Sequence, residues 1–184
     1  ELQSVISGGE ATLILDKTPF YAESGGQIGD TGTITTPNGA FTVTDTKKTP
    51  NGQYLHIGCV AEGAIQLGKT KAEIDVSRRG AIMRNHSSAH LLQAALKKVL
   101  GSHVEQAGSY VSDKVVRFDF THYQAMTKEE IAEVERLVNE EILKGNVITA
   151  TEMSIEDAKK TGAVALFGEK YGETVRVVKM GDFS

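Results

Sequence analysis

The chain has 184 residues, with 20 Lys and Arg against 24 Asp and Glu and a formal charge of −4. This length falls within the ~100–200 residues of a typical domain and is enough to bury a core without staples. A hydrophobic share of 40% and a charged share of 24% exclude a disordered chain. The acidic balance excludes a uniformly basic nucleic-acid coat while leaving room for a local basic face. No apolar run approaches the roughly 18 residues of a membrane span, and Glu1-Leu2-Gln3-Ser4 lacks a basic region followed by an apolar stretch. The single cysteine, Cys59, excludes an intrachain disulfide and a cysteine-only zinc cluster, and it suits a cytoplasmic compartment. It reads as a small core residue.

Residues 1–76 hold 11 of the 19 glycines, all three prolines, 9 acids and 5 bases, so the net charge lies there. This part reads as short strands between turns. Thr12–Leu15 is strand-like; Thr33–Thr35 leads through the turn Pro37-Asn38-Gly39 into Phe41–Thr44. Asn51-Gly52 signals a hairpin before Tyr54–Ile57, and Thr70–Val76 alternates as a further strand. Closely spaced β runs of this kind predict a small, glycine-rich, β-barrel-like subdomain over residues 1–76.

Residues 77–184 are neutral and mixed in type. Ser77 is placed to cap a helix running to Leu100, with Gly101 just past its end. Val104–Val111 and Val115–Thr121 read as strands joined near Ser112-Asp113. Thr127-Lys128-Glu129-Glu130 is a capping box, opening a helix with Ile131, Val134, Val138 and Ile142 as its stripe and Gly145 as its stop. Val147–Thr151 suits a strand, Ser154 caps a short helix to Lys160, and Glu173–Met180 alternates as a last strand. The expected fold class is α+β, with the barrel-like part followed by a mixed domain over 77–184.

The sharpest chemical signal is His86-Ser87-Ser88-Ala89-His90. On a helix, residues four apart share a face, about 5–6 Å apart at Cβ, so both imidazoles can reach one metal ion. Zinc takes neutral imidazole nitrogens in a tetrahedral set of four. The same spacing suits two histidines packed at a helix–sheet interface, one bonded to a carbonyl. His56, His103, His122 and Cys59 have no ligand spacing, so water, substrate or ligands outside this chain would complete a site. The same helix carries Arg78, Arg79, Arg84, Lys97 and Lys98 and no acid between residues 77 and 100. A basic helix beside a metal suits a phosphate-bearing substrate; for each base, plain solvated surface is the alternative. The segment from Thr18 to Gly32 is dense in glycine, which allows close approach of a ligand or of another backbone. It fits neither a dinucleotide fingerprint nor a phosphate loop, so a tight barrel corner is its plainer reading.

Taken together and in order, four segments resemble the editing domain of alanyl-tRNA synthetases, over essentially the whole chain. They are Thr18–Gly32, Arg84-Asn85-His86-Ser87-Ser88-Ala89-His90-Leu91-Leu92, Val115–Phe120 and Gly168-Glu169-Lys170-Tyr171-Gly172, and the closing Val177–Ser184 also matches. The resemblance implies hydrolysis of mischarged Ser-tRNA(Ala) and Gly-tRNA(Ala) at a zinc-dependent site. His86 and His90 match zinc ligands of the catalytic site, and Gln106 matches a glutamine of the editing pocket. Gly25, Gly26, Ser88 and Arg84 are the expected substrate contacts. In the family a Cys-x-x-x-His pair follows the last strand and completes the zinc shell, so the remaining Cys and His are expected beyond Ser184. The expected partners are the acceptor end of tRNA(Ala) and the remainder of the synthetase chain, with no membrane. ATP and magnesium would serve only an absent catalytic domain N-terminal to Glu1, which ligates alanine to tRNA(Ala). Ala89 stands where the family commonly has Thr, which puts substrate preference in question. The alternatives are a non-catalytic tRNA-binding or structural fragment and a free-standing protein that edits in trans.

Overall fold

The computed structural model describes residues 4–161, 173–181 and 183; Gly168–Gly172, Asp182 and Ser184 lie outside them. The chain divides into two compact units, Glu1–His86 with Ser109–Arg117, and Ser87–Gly108 with Phe118–Ser184.

The first unit is built on six antiparallel strands, β1 (Ser4–Ile6), β2 (Glu10–Leu13), β3 (Gly32–Thr36), β4 (Gly39–Lys48), β5 (Tyr54–Gln66) and β6 (Lys71–Ile74). The order across the sheet is β1-β5-β4-β3-β6, and β2 also pairs with β5. β1 meets the end of β5 at Ala64–Gln66, while β2 meets it at His56–Cys59, so the two short strands occupy successive stretches of β5. The sheet does not close, which corrects the barrel-like expectation. β1, β2 and β6 are only three or four residues long, and β6 passes at once into a helix, so no strand spans the gap.

β4 shows why this sheet has one wet face. Phe41 and Val43 are buried while Thr42 and Thr44 are exposed, the two-residue period of a half-buried strand. Phe20, Ile34, Phe41, Val43, Val60 and Ile65 form the core, with Leu13, Leu15 and Ile74 packed against it. Cys59, read as core, is only half-buried.

Helix α1 (Val76–Leu100) starts two residues earlier than a cap at Ser77 implied. The cap is Asp75, whose Oδ1 accepts the Arg78 N–H at 2.9 Å. Its carbonyl accepts the Arg79 N–H at 2.9 Å. Aspartate is as good a cap as serine, and its charge complements the helix N-terminus. β7 (Gln106–Val111) and β8 (Val116–Phe120) form a two-stranded ribbon.

In the second unit, the C-terminal part of α1 packs Ala95 and Leu96 with Val104, Val134 and Leu137. Helix α2 (Lys128–Lys144) starts with the expected box, Thr127 Oγ1 accepting the Glu130 N–H at 3.2 Å and Glu130 accepting the Thr127 N–H at 2.8 Å. Gly145 ends it at φ +61°. Of the expected stripe, Val134 is buried and Val138 packs against the core, but Leu137 and Glu141 complete the buried seam while Ile131 and Ile142 are 51% exposed. Glu141 tolerates burial because Lys144 donates to it at 2.5 Å and Asn146 at 3.3 Å. β9 (Ile148–Ser154) and β10 (Thr174–Met180) form an antiparallel ribbon, with α3 (Ile155–Lys160) capped by Ser154 as expected.

Candidate functional site

The glycine-dense segment turns sharply at Ser24–Gln27, where the two residues exchange backbone hydrogen bonds of 3.1 and 2.9 Å. Gly25 and Gly26 take φ +57° and +78°, values that L side chains rarely adopt. Gly26 is needed twice over: a Cβ there would fall against Ser109 Oγ and lie 2.7 Å from the Ser109 carbonyl oxygen. Around Gly25 nothing lies within 4 Å, so only its backbone conformation selects glycine. The close approach lets Val111 N–H donate to Gly26 O at 2.8 Å and Ile28 N–H donate to Val111 O at 3.1 Å, so the segment runs alongside β7.

That path delivers Gln27 to α1. Gln27 is buried, and its side-chain oxygen lies 2.7 Å from His86 Nδ1. The amide oxygen can only accept, so Nδ1 carries the proton and the lone pair of the neutral ring sits on Nε2. Burial pushes the His86 pKa below its ordinary 6.5, which favours the neutral imidazole. A neutral ring oriented through its other nitrogen is what metal ligation requires. It is also what a histidine packed for structure alone would make of a buried carbonyl.

His90 lies one helical turn further along α1 and is half-buried. Ser88 is half-buried and Arg84 exposed on the same helix, while Ala89 is buried. Gln106 is half-buried at the start of β7. Among the described residues, no group of three or more His, Cys, Asp and Glu is disposed to hold a metal ion. His86 and His90, four residues apart on one helix, offer imidazole donors of the type zinc accepts, two of the four that a closed set needs.

The basic face of α1 is smaller than its sequence suggests. Arg79 Nε donates to Asp30 Oδ1 at 2.8 Å, and its Nη2 donates to Asp30 Oδ2 in a fork that also raises the Arg79 pKa. Arg78 Nη1 donates to Gly29 O at 2.9 Å and its Nε lies 3.6 Å from Asp113. Both arginines bind the glycine-dense segment to the helix, and neither reads as a phosphate contact. Arg84 and Lys98 remain exposed.

Gln27 and Asp30 are the residues that sequence reading missed. The signal was present, since two polar side chains stand within a glycine-dense segment where an exposed turn would need neither. His56 was likewise passed over for want of ligand spacing. It is fully buried, its Nδ1 donating to Leu13 O at 3.0 Å and its Nε2 accepting from Thr18 Oγ1 at 2.7 Å. With both nitrogens used inside the sheet unit, His56 is a structural residue.

Residues 1–78 match the family described as tRNA synthetases class II (A). Over 181 residues the chain is 56% identical to "Alanine--tRNA ligase 1" of Lachnoclostridium phytofermentans, covering 98% of the chain and 21% of that protein. It is 58% identical over 178 residues to "Alanine--tRNA ligase" of Acetivibrio thermocellus, covering 96% of the chain and 20% of that protein. Over nearly its whole length the chain is similar to these ligases and fits a fragment of an alanyl-tRNA synthetase, spanning about a fifth of the length of these relatives. Among the described residues, no helix is long and apolar enough to cross a membrane.

Proposed function

We propose that this chain is the editing part of an alanyl-tRNA synthetase, cleaving serine or glycine from wrongly charged tRNA(Ala) in the cytoplasm. One observation carries the reading: Gln27 fixes the tautomer of His86 one turn before His90. The reaction is ester hydrolysis. Water adds to the aminoacyl carbonyl carbon, the bond to the terminal ribose oxygen breaks, and that oxygen takes the proton. Zinc, when bound, would polarise an oxygen or acidify water at such a site, or anchor the substrate. His86 and His90 would hold it, with a Cys and a His from outside the 184 residues.

The chain's own residues supply the rest. The Gln106 amide can hydrogen-bond the aminoacyl group in either direction. Ser88 offers the hydroxyl nearest in sequence to the place where Ala89 lacks one. A pocket that hydrogen-bonds the serine hydroxyl rejects alanine, because its polar groups would go unpaired. Arg84 would meet acceptor-stem phosphates, making binding salt-sensitive. The turn at Gly25 and Gly26 holds Gln27 to His86 and presents bare backbone to substrate. ATP-dependent ligation of alanine would belong to the rest of the synthetase.

The test is zinc binding and Ser-tRNA(Ala) deacylation by His86→Ala in a protein carrying the further ligands. Loss of both supports the reading; unchanged zinc binding and turnover removes it. The second reading is a tRNA-binding module with no chemistry, favoured by the incomplete ligand set among the described residues. Multiple turnover by this chain alone would eliminate it.

A further inference from the structure

Away from the histidines of α1, the second unit carries a stack of aromatic rings with one face open. His103 follows the turn at Gly101, and Tyr123 lies between β8 and α2. Their rings are stacked with centroids 4.5 Å apart and planes 22° from parallel. Beside His103, its Nε2 and His122 Nδ1 are hydrogen-bonded at 2.9 Å with the two rings 20° from parallel, and the His122 ring centre lies 6.1 Å from that of Tyr123. Thr121 ties the two loops together, its N–H donating to Glu105 O at 2.9 Å and its hydroxyl to His103 O at 3.4 Å.

The arrangement is unusual for a structural cluster. Tyr123 is 85% exposed, so its ring adds little to the core. His122 Nε2 is buried with no hydrogen-bond partner among the described residues, a desolvation that a merely decorative loop has no reason to retain. The outermost ring is therefore held flat by His103, with its opposite face turned to solvent. Lys97 and Lys98 lie in the last turn of α1, four and three residues before Gly101, with Lys98 Nζ 5.7 Å from the centre of the Phe183 ring, so this end of the helix carries positive charge.

We propose that the Tyr123–His103 stack is a platform for an unpaired RNA base, with the Lys97–Lys98 end of α1 drawing in the adjoining phosphate. An aromatic face offers every base a stacking surface, and a ring already ordered by a neighbour loses little freedom on binding. Unpaired bases occur at the acceptor terminus and in the loops of a tRNA, so the proposal extends the tRNA-binding part of the reading above. A flat hydrophobic contact for a protein partner is the competing occupant. It would show no dependence on RNA.

The experiment measures binding of this chain to fluorescent tRNA(Ala) and to an unstructured RNA oligonucleotide, for wild type, Tyr123→Phe, Tyr123→Leu and Tyr123→Ala. A stacked base predicts that Ala and Leu weaken binding about ten-fold while Phe stays within about two-fold. The salt dependence keeps the same slope in all four, because no phosphate contact is touched. Equal affinity in all variants overturns the platform, and so does failure of wild type to bind either RNA. Ser-tRNA(Ala) deacylation by the ligand-complete protein, measured in parallel with Tyr123→Ala, separates the two ideas. Turnover that persists with unaltered RNA affinity rejects the platform alone. Absence of turnover in wild type, with a ten-fold RNA defect in Tyr123→Ala, rejects editing and keeps the platform.

Discussion

The side-chain oxygen of Gln27 accepts a 2.7 Å hydrogen bond from His86 Nδ1, joining a glycine-dense turn to the helix that carries both candidate ligands. Through this bond the backbone conformation of Gly25 and Gly26 bears on which imidazole nitrogen of His86 keeps a lone pair. Ligand orientation, tautomer and turn geometry are thus one device.

Gln27→Ala is expected to leave the fold in place and to weaken zinc binding by about 10–100-fold in the ligand-complete protein, the usual penalty for losing an orienting partner. A competitive titration with a zinc-chelating dye reads the change. Wild-type affinity in Gln27→Ala would make the bond a packing feature.

The two glycines should separate cleanly. At Gly25, substitution by Ala meets no atom and strains only the backbone, a loss of about 1–2 kcal/mol. At Gly26 the same strain is joined by collision with Ser109, so Gly26→Ala should exceed Gly25→Ala by at least about 1 kcal/mol in urea unfolding. Equal losses would show that the Ser109 side of the turn gives way freely.

Buried Asp30 and half-buried Arg79 form a pair that fastens the same segment to α1. The carboxylate is 2% exposed and also accepts the Tyr21 N–H at 2.7 Å. Asp30→Ala takes the acceptor from the Tyr21 N–H and leaves the Arg79 guanidinium only the Pro19 carbonyl at 3.3 Å, so it should lose roughly 1–3 kcal/mol of unfolding free energy. Denaturant midpoints of Asp30→Ala against Lys71→Ala, whose pair with Glu73 is on the surface, provide the comparison. The surface change is expected to stay within about 1 kcal/mol.

His56 gives stability a direction with pH. Desolvation lowers its pKa in the folded chain below the ordinary 6.5, although its bond to Leu13 opposes the shift. Below about pH 6.5 the unfolded chain therefore binds the proton that the folded chain refuses, and stability falls as pH drops towards the folded value. His86 is shifted in the same direction. Urea midpoints from pH 8 to pH 5 should decline, and His56→Gln should decline less steeply from a lower starting point. An unchanged slope would assign the pH effect to other groups.

Much of the scaffold was legible because local signals and tertiary packing agree. Thr127 and Glu130 announce α2, Ser154 announces α3, and the alternation around Phe41 and Phe118 marks β4 and β8. The failures came where a tertiary choice decided. Asp75 outcompeted Ser77 because the chain leaves β6 at Ile74, two residues before the expected end at Val76. The stripe of α2 held at Val134 and Val138 but shifted at its ends, where Lys144 and Asn146 make a buried Glu141 acceptable and Ile131 and Ile142 stay half-exposed. Nothing in sequence spacing pairs Gln27 with His86, 59 residues apart, or Arg79 with Asp30, 49 apart; only the path of the glycine-dense segment does so. The barrel-like reading found five of the six strands, missing β1, and could not see that β1 and β2 share β5.

The most direct measurement is deacylation of Ser-tRNA(Ala), with zinc present, by this chain and by a version extended through the next Cys and His. The account predicts turnover in the extended protein, abolished by His86→Ala and absent or far slower in the 184-residue chain. An extended protein that is folded, zinc-loaded and inactive would contradict it.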